Sequence, residues 1–84
     1  MALVTLQFWA GARAAAGTPS ESVDAASVGA AIDAVLARRD DARLTRVVRS
    51  SSLLVDGVAA SPRTLAAPLA GPVVVEVLPP FAGG

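Results

Sequence analysis

The chain has 84 residues, of which 54% are apolar, and its seven arginines balance seven acidic residues to a formal charge of zero. This length fits one small domain, and the balanced charge argues against nucleic acid as the main partner, which calls for a basic excess. The absence of cysteine, histidine and lysine excludes disulfides, thiol nucleophiles, Schiff-base lysines and the commonest metal ligands.

The first predicted element is a strand over Leu3–Trp9. Val4, Leu6 and Phe8 alternate onto one face, which is the predicted core face. The opposite face also carries apolar residues, and this favours a strand inside the sheet over one at its edge. Trp9, at the end of the strand, either covers a small cluster under the following turn or contacts a partner protein.

A short helix is predicted over Ala10–Ala16. Gly17 ends this helix, because glycine readily takes the left-handed conformation of a helix stop. Arg13 lies on the helix and has two interpretations. It is a solvated charge, worth under about 1 kcal/mol in a surface ion pair, or it contacts a partner.

A second strand over Glu21–Ala25 leads into the main helix, for which Ser27 is the predicted N-cap and Arg39 the approximate end. The apolar stripe of this helix comprises Ile32, Val35 and Leu36. One more helical turn is predicted through Leu44, Val47 and Val48. The arginines between positions 38 and 49 have the spacing of a solvated helical face, and no aromatic residue interleaves them as in a nucleic-acid site.

The second half of the chain predicts a hairpin and a final strand. Asp56-Gly57 separates two apolar runs, and a two-residue type I′ turn requires positive φ at both of its central residues. In the connection that follows, Leu65 and Leu69 are expected to cover the sheet edge, while Pro68 prevents a long helix. Val73–Leu78 is the strongest strand signal in the sequence.

The predicted order is therefore strand, helical turn, strand, helix, hairpin and strand, which indicates an α+β sheet with one main helix on one face. No stretch approaches the roughly 20 apolar residues of a membrane span. The apolar start, residues 1–9, lacks the basic flank of a secretory signal and is interrupted by Thr5 and Gln7. We expect a cytoplasmic protein without a membrane partner.

The tail after the final strand is unusual in composition. Pro79 and Pro80 make its start stiff and extended, because each proline fixes φ and removes a backbone donor. The side chains then shrink from Phe81 to the pair Gly83-Gly84. Such a tail is narrow enough to enter a tight channel, and six extended residues from Pro79 span about 20 Å. The alternative interpretation is that the glycine tail is disordered and inert.

Three motifs together resemble the small subunits of molybdopterin synthase, the MoaD group of the MoaD/ThiS sulfur carriers. Leu78–Gly84 is similar to their terminal pattern of a hydrophobe, two prolines, a hydrophobe, a small residue and Gly-Gly. Phe8–Arg13, followed by Gly17, resembles the start of that group, in which an arginine-bearing turn follows an aromatic strand end. Val55–Gly57 stands where the family has a Val-Asn-Gly-like hairpin. The resemblance spans the whole chain.

The resemblance implies a β-grasp (ubiquitin-like) fold: a mixed sheet of about four to five strands with one main helix on one face. Residues 1–78 would form this domain and residues 79–84 its extended tail. In that fold the first and last strands lie side by side at the centre of the sheet. Their apolar character on both faces agrees with this position.

The resemblance also implies a chemistry in which Gly84 is the acyl group, first as an acyl-adenylate and then as a thiocarboxylate. The chain itself would bind no cofactor and no metal. ATP would be used by an E1-like adenylating enzyme (MoeB-like), and the pterin precursor would bind to a large synthase subunit (MoaE-like) in a heterotetramer. The implied partner-binding residues are Leu78, Pro79, Pro80, Phe81, Ala82, Gly83, Trp9 and Arg13.

One departure leaves alternatives open. The connection before the last strand is Gly71-Pro72 and three valines, where the family usually has a Gly-Asp-like turn and polar residues. A carrier of the same fold that serves thiamine, cysteine or tungsten-cofactor synthesis is one alternative. A non-covalent ubiquitin-like binding module with an inert tail is another. A free-standing enzyme is not expected, because the only side chains available for catalysis are carboxylates, arginines and hydroxyls.

Overall fold

The computed structural model describes residues 1–80 of the chain. Its elements in chain order are β1 Ala2–Phe8, α1 Ala10–Ala16, β2 Ser20–Ala25, α2 Val28–Arg39, α3 Ala42–Arg49, β3 Ser52–Val55, β4 Val58–Ala59, α4 Pro62–Ala66 and β5 Val73–Leu78. The predicted order of elements is confirmed. The first strand ends one residue earlier than predicted, because Trp9 takes the N-cap position of α1.

Five strands form one mixed sheet in the order β2-β1-β5-β3-β4. β1 and β5 are parallel neighbours, and the other pairs are antiparallel. The first and last strands therefore meet at the middle of the sheet, as expected, and the α+β β-grasp architecture is confirmed. Each of these central strands pairs with a neighbour on both sides and buries alternate residues in the core.

The core lies between one face of the sheet and the helices. The predicted core face of β1, Val4, Leu6 and Phe8, is buried. Its partners in the core are Ala12, Ala16, Ala25, Val28, Ala31, Ile32, Val35, Leu36, Leu44, Val48, Val75 and Val77. Each buried valine or leucine contributes roughly 1.5–3 kcal/mol relative to exposure, so this layer supplies most of the driving force for folding.

The main helix, α2, begins and ends as its sequence predicts. The Ser27 hydroxyl accepts a hydrogen bond from the Ala30 amide (3.1 Å), and the helix stops at Asp40, which is left-handed with φ of 50°. Gly29 lies in the first turn of this helix. In the structure a Cβ at Gly29 would lie 3.1 Å from the Leu65 carbonyl oxygen, so the glycine permits close approach of the segment that contains α4.

α3 is longer than the single predicted turn. The carboxylate of Asp41 caps it by accepting hydrogen bonds from the amides of Arg43 (2.9 Å) and Leu44 (3.1 Å). Leu44 and Val48 are buried one turn apart, and the helix packs against α1. A cap and an apolar face thus sustain two turns where sequence periodicity indicated one.

The hairpin and the final connection follow the prediction. Asp56 and Gly57 have φ of 48° and 84°, as a type I′ turn requires. The Asp56 carboxylate also accepts a hydrogen bond from the Val74 amide (2.9 Å), which fastens the turn to the start of β5. Leu65 and Leu69 are partly buried against the core, and the helix that contains Leu65 has only five residues.

Candidate functional site

The junction between β1 and α1 is bound to the last strand by backbone hydrogen bonds. The Trp9 amide donates to the Val77 carbonyl (3.3 Å), and the Trp9 carbonyl accepts from the amides of Ala12 (2.9 Å) and Arg13 (3.3 Å). Trp9 keeps 45% of its surface exposed. This junction therefore places a large aromatic side chain at the surface, beside the end of β5.

The residue after Trp9 has an uncommon backbone conformation. Ala10 lies in the left-handed region, with φ of 47°, where a residue other than glycine costs about 1–2 kcal/mol. The chain turns sharply here from an extended strand into α1. The helix then ends at Gly17, which is left-handed with φ of 72°, and its amide donates to the Arg13 carbonyl (2.9 Å).

The described part of the predicted tail leaves the sheet at this junction. β5 ends at Leu78, and Pro79 and Pro80 follow without amide donors, so they cannot extend the strand ladder through N–H groups. Leu78 and Pro79 are half-buried and Pro80 is exposed. We call Leu78–Pro80 the stalk.

A groove of about 580 Å³ lies between the stalk and the helices, and we call it the Trp9 groove. It is lined by Trp9, Ala10, Gly11, Val47, Ser50, Leu78, Pro79 and Pro80. These side chains are almost all apolar. Open apolar surface of this kind on a small domain is typical of a site that another protein covers.

Arg13 lies beside a second, smaller groove of about 230 Å³, whose other lining residues include Trp9, Gln7 and Pro19. Its side chain is exposed, and it makes no hydrogen bond or ion pair with residues 1–80. Trp9 lines both grooves, so the structure places it next to Arg13 in one groove and next to the stalk in the other. Phe81, Ala82, Gly83 and Gly84, the remaining predicted site residues, lie outside the described residues.

Sequence reasoning missed several residues of this site: Ala10, Gly11, Val47 and Ser50. Val47 was assigned only to a helical turn, and its place in the groove depends on the packing of α3 against α1. No local pattern reports such a contact between distant segments. In the structure Val47 is more exposed than Leu44 and Val48, which occupy the buried face of α3.

Charged groups near β2 contrast with Arg13, because they are paired. Glu21 accepts hydrogen bonds from Arg38 Nε (3.1 Å) and Arg39 Nε (2.7 Å), and Arg39 Nη1 donates to the Ala16 carbonyl (2.7 Å). We call these residues the β2–α2 corner. Burial raises the pKa of Glu21, but the hydrogen bonds and positive charges of the two arginines outweigh it and hold the pKa below its ordinary value of 4.5.

Among residues 1–80, no group of three or more acidic side chains is placed so that it could hold a metal ion. In the same part of the chain, none of the helices has the length and apolarity needed to cross a membrane. The features of this region that bear on function are the apolar Trp9 groove and the exposed guanidinium of Arg13.

The known proteins that this chain matches are found by similarity of structure and not by similarity of sequence. No family model matches the chain, and no curated protein sequence matches it. The crystal structure of SAMP1 from Haloferax volcanii is similar, with a TM-score of 0.77 and 27% identity over 98% of this chain and 99% of that one. The solution structure of the small archaeal modifier protein 1 (SAMP1) from Methanosarcina acetivorans has a TM-score of 0.81 and 23% identity, over 100% and 98% of the two chains.

A third similar structure is a protein–protein complex. It contains subunits 1 and 2 of the molybdopterin-converting factor from Helicobacter pylori 26695, with a TM-score of 0.68 and 18% identity over 98% of this chain and 99% of the matched one. In that structure a chain of the same fold is bound to a second subunit. The likeness covers both chains almost from end to end.

The sheet order and these neighbours place the chain among ubiquitin-like β-grasp domains. Within that class it has the fold of the MoaD/ThiS-like sulfur carriers.

Proposed function

We propose that this chain is the sulfur-carrying small subunit of a molybdopterin synthase. It would deliver sulfur as a thiocarboxylate on Gly84 for formation of the dithiolene of the molybdenum cofactor. The observation that carries the proposal is the position of the stalk, which leaves the central strand at an open, apolar surface with Pro80 exposed. A tail that leaves the domain in this way is accessible to a second protein.

The proposed chemistry starts with activation, because a free carboxylate is an unreactive acyl group. The carboxylate oxygen of Gly84 attacks the α-phosphorus of ATP, and pyrophosphate leaves. A sulfide equivalent from a sulfur donor then attacks the acyl carbon, AMP leaves, and the thiocarboxylate remains. When the thiocarboxylate sulfur is transferred to the pterin precursor, water restores the carboxylate. The chain has no cysteine, so its terminus is the place for reactive sulfur.

The other predicted site residues serve docking and access in this proposal. Ala82 and Gly83 keep the tail narrow, because glycine permits close approach of other backbone. Phe81 anchors the tail in the partner, as buried aromatic side chains commonly do at interfaces. Leu78, Pro79 and Pro80 stiffen the tail, while Trp9 and Arg13 contact the partner beside it.

Two partners follow from this proposal. An E1-like, MoeB-like enzyme would bind ATP and form the adenylate, and a MoaE-like large subunit would bind the pterin precursor in a heterotetramer. The complex of two subunits from Helicobacter pylori supports a partner subunit as a general feature of this fold. The chain would act in the cytoplasm and supply no catalytic side chain, cofactor or metal of its own.

A second candidate function is that of a protein modifier. Two of the similar structures are named as small archaeal modifier proteins. A modifier would use the same acyl-adenylate, but an amine of a target protein would displace AMP in place of sulfide. Because this chain has no lysine, one copy cannot be linked to the lysine side chain of another. Carriers for thiamine, cysteine or tungsten-cofactor synthesis share the thiocarboxylate and differ only in the acceptor.

The proposal is tested by intact-protein mass spectrometry after incubation with ATP, an E1-like enzyme and a sulfide source. We expect the mass increment of one oxygen replaced by one sulfur. Removal of Gly84, or addition of two residues after it, should abolish the increment without a change in thermal unfolding. The matched control carries the same two residues before Met1 and should react normally.

The outcomes separate the candidates. A sulfur increment that survives removal of Gly84 would contradict the proposed site. Repeated absence of any increment with a competent enzyme would favour a non-covalent binding module. Covalent adducts of the chain with other proteins, in place of a thiocarboxylate, would favour the modifier. Release of sulfur to a pterin precursor by a MoaE-like subunit distinguishes molybdopterin synthesis from the other carrier pathways.

A further inference from the structure

Ala10 is the one left-handed residue in the described chain for which neither a helix stop nor a hairpin turn supplies a reason. Asp40 ends α2 and Asp56 forms the hairpin turn, and aspartate tolerates this conformation better than most residues. Ala10 lies at the start of α1, with an exposed methyl group. Local strain that the structure retains without a packing gain is most often found where it contributes to function.

The strained residue directly follows Trp9, which lies beside the last strand. The paired residues of β1 and β5 end at Phe8 and Val77, and the Trp9 amide adds one more hydrogen bond, to the Val77 carbonyl (3.3 Å). Beyond Leu78 the prolines have no amide to donate. The direction of the stalk therefore depends on side-chain packing, and the indole of Trp9 and both prolines line the same groove.

We infer that the Trp9–Ala10 turn is a positioning device that sets the direction in which the stalk leaves the sheet. This inference rests on the proposed function, since it concerns delivery of Gly84 to an activating enzyme. The direction in which Pro79 and Pro80 leave the sheet sets where the chain that leads to Gly84 begins. A change in that direction slows reaction, because reacting atoms must approach within about 3.5 Å.

The central test compares two substitutions that relieve the same kind of strain at different places. Ala10→Gly and Asp40→Gly each put glycine at a left-handed position. We expect neither variant to unfold at a lower temperature than the native chain. With the E1-like enzyme, kcat for activation should fall about threefold or more for Ala10→Gly, with KM unchanged. Asp40→Gly, whose residue lies outside the Trp9 groove, should react like the native chain.

Trp9 variants separate positioning from direct contact with the enzyme. Trp9→Phe keeps a large aromatic side chain across from the prolines, and we expect it to retain at least about half of the native kcat. Trp9→Ala should lose kcat about tenfold, because the stalk then lacks its side-chain support. A role limited to partner contact would instead raise KM in Trp9→Ala and leave Ala10→Gly with native kinetics, which would overturn the inference.

A spectroscopic test needs no enzyme, because Trp9 is the only tryptophan in the chain. Replacing Pro79 and Pro80 by alanine should shift the Trp9 emission to longer wavelength and lower its anisotropy, since both prolines line the groove that Trp9 borders. Pro72→Ala, at an exposed proline before β5, is the matched control and should leave both unchanged. Ala10→Gly should also lower the anisotropy.

Unchanged fluorescence in the Pro79 and Pro80 variant would overturn the inference, whatever the enzyme assay shows. If the native chain is not activated by any E1-like enzyme, the proposed function fails. The fluorescence measurements still decide whether the turn supports the stalk. The two failures are therefore distinguishable.

Discussion

The β2–α2 corner and the Trp9 groove differ in how completely their side chains are satisfied. At the corner, the Glu21 carboxylate accepts hydrogen bonds from two arginines, and one of these arginines also reaches the Ala16 carbonyl. At the Trp9 groove, Trp9 keeps 45% of its surface exposed, and Arg13, in the smaller groove that Trp9 also lines, makes no ion pair with residues 1–80.

The contrast separates the residues that stabilise this domain from those available to a partner. Hydrogen bonds and ion pairs made inside the fold contribute to its own stability. An exposed aromatic and an unpaired arginine contribute little to folding, yet they are the residue types that dominate interface energetics. A domain of this length has a modest stability of roughly 5–10 kcal/mol, and the structure places these two roles in different regions.

The largest effect on stability is expected for a substitution in the hydrophobic core, which lies beneath both regions. Leu6, which is 1% exposed, lies on the core face of β1, and Leu3, which is 44% exposed, lies on the opposite face. Leu6→Ala should lower the free energy of unfolding by about 3 kcal/mol, because it leaves a cavity. Leu3→Ala is the matched control and should cost under about 1 kcal/mol. Urea denaturation measures both, and equal losses would contradict the assignment of the two faces.

A smaller effect is expected at the β2–α2 corner, and it depends on pH. Glu21→Gln should lower the free energy of unfolding at pH 7 by about 1 kcal/mol. This value is smaller than that of a buried charged hydrogen bond, because Arg38 is largely exposed and solvent screens its charge. The lowered pKa of Glu21 stabilises the fold fully above pH 4.5, and this stabilisation is lost as the pH falls through the folded-state pKa.

The difference between the native chain and Glu21→Gln should therefore narrow as the pH falls below 4.5. Denaturation at a series of pH values measures this. Asp24→Asn is the control on the same strand, since Asp24 is exposed and makes no hydrogen bond through its side chain within the described residues. A constant difference at all pH values would show that the carboxylate charge of Glu21 is not what stabilises the corner.

The smallest effect on stability is expected for Arg13, in the smaller groove beside Trp9. Its substitution should affect association with a partner more than it affects folding. Arg13→Ala should change the free energy of unfolding by under about 0.5 kcal/mol. It should weaken binding to the E1-like enzyme or the large subunit several-fold, mainly through slower association at low salt. Arg63→Ala, an exposed arginine on α4, is the matched control. Calorimetry and stopped-flow binding measure the two, and equal effects on binding would remove Arg13 from the docking surface.

Much of the fold could be predicted from the sequence, because its signals are local. The alternation of β1, the Ser27 cap, the Gly17 stop and the Asp56-Gly57 turn each follow from conformational preferences over a few residues. The length of α3 was missed, since only one helical turn was predicted and the cap at Asp41 was not. The reason for Gly29 was also missed, because it lies in contact with a residue far along the chain.

The candidate site was predictable only in part. Trp9, Arg13 and the stalk were identified from the motifs that resemble the sulfur carriers, and in the structure Trp9 lines a groove with each of the other two. The strained turn at Ala10 was not predictable, because alanine has no intrinsic preference for the left-handed conformation. It is imposed by the sharp change of direction between β1 and α1. Val47 entered the site only through the packing of α3 on α1.

The sequence by itself determined the order of strands and helices, the hairpin and the composition of the tail, since these depend on neighbouring residues and on hydrophobic periodicity. Tertiary structure alone decided that Glu21 meets Arg38 and Arg39, and that Trp9 and Val47 border the stalk. Such contacts join distant segments, and they exist only once burial of the shared core has fixed all the elements relative to one another.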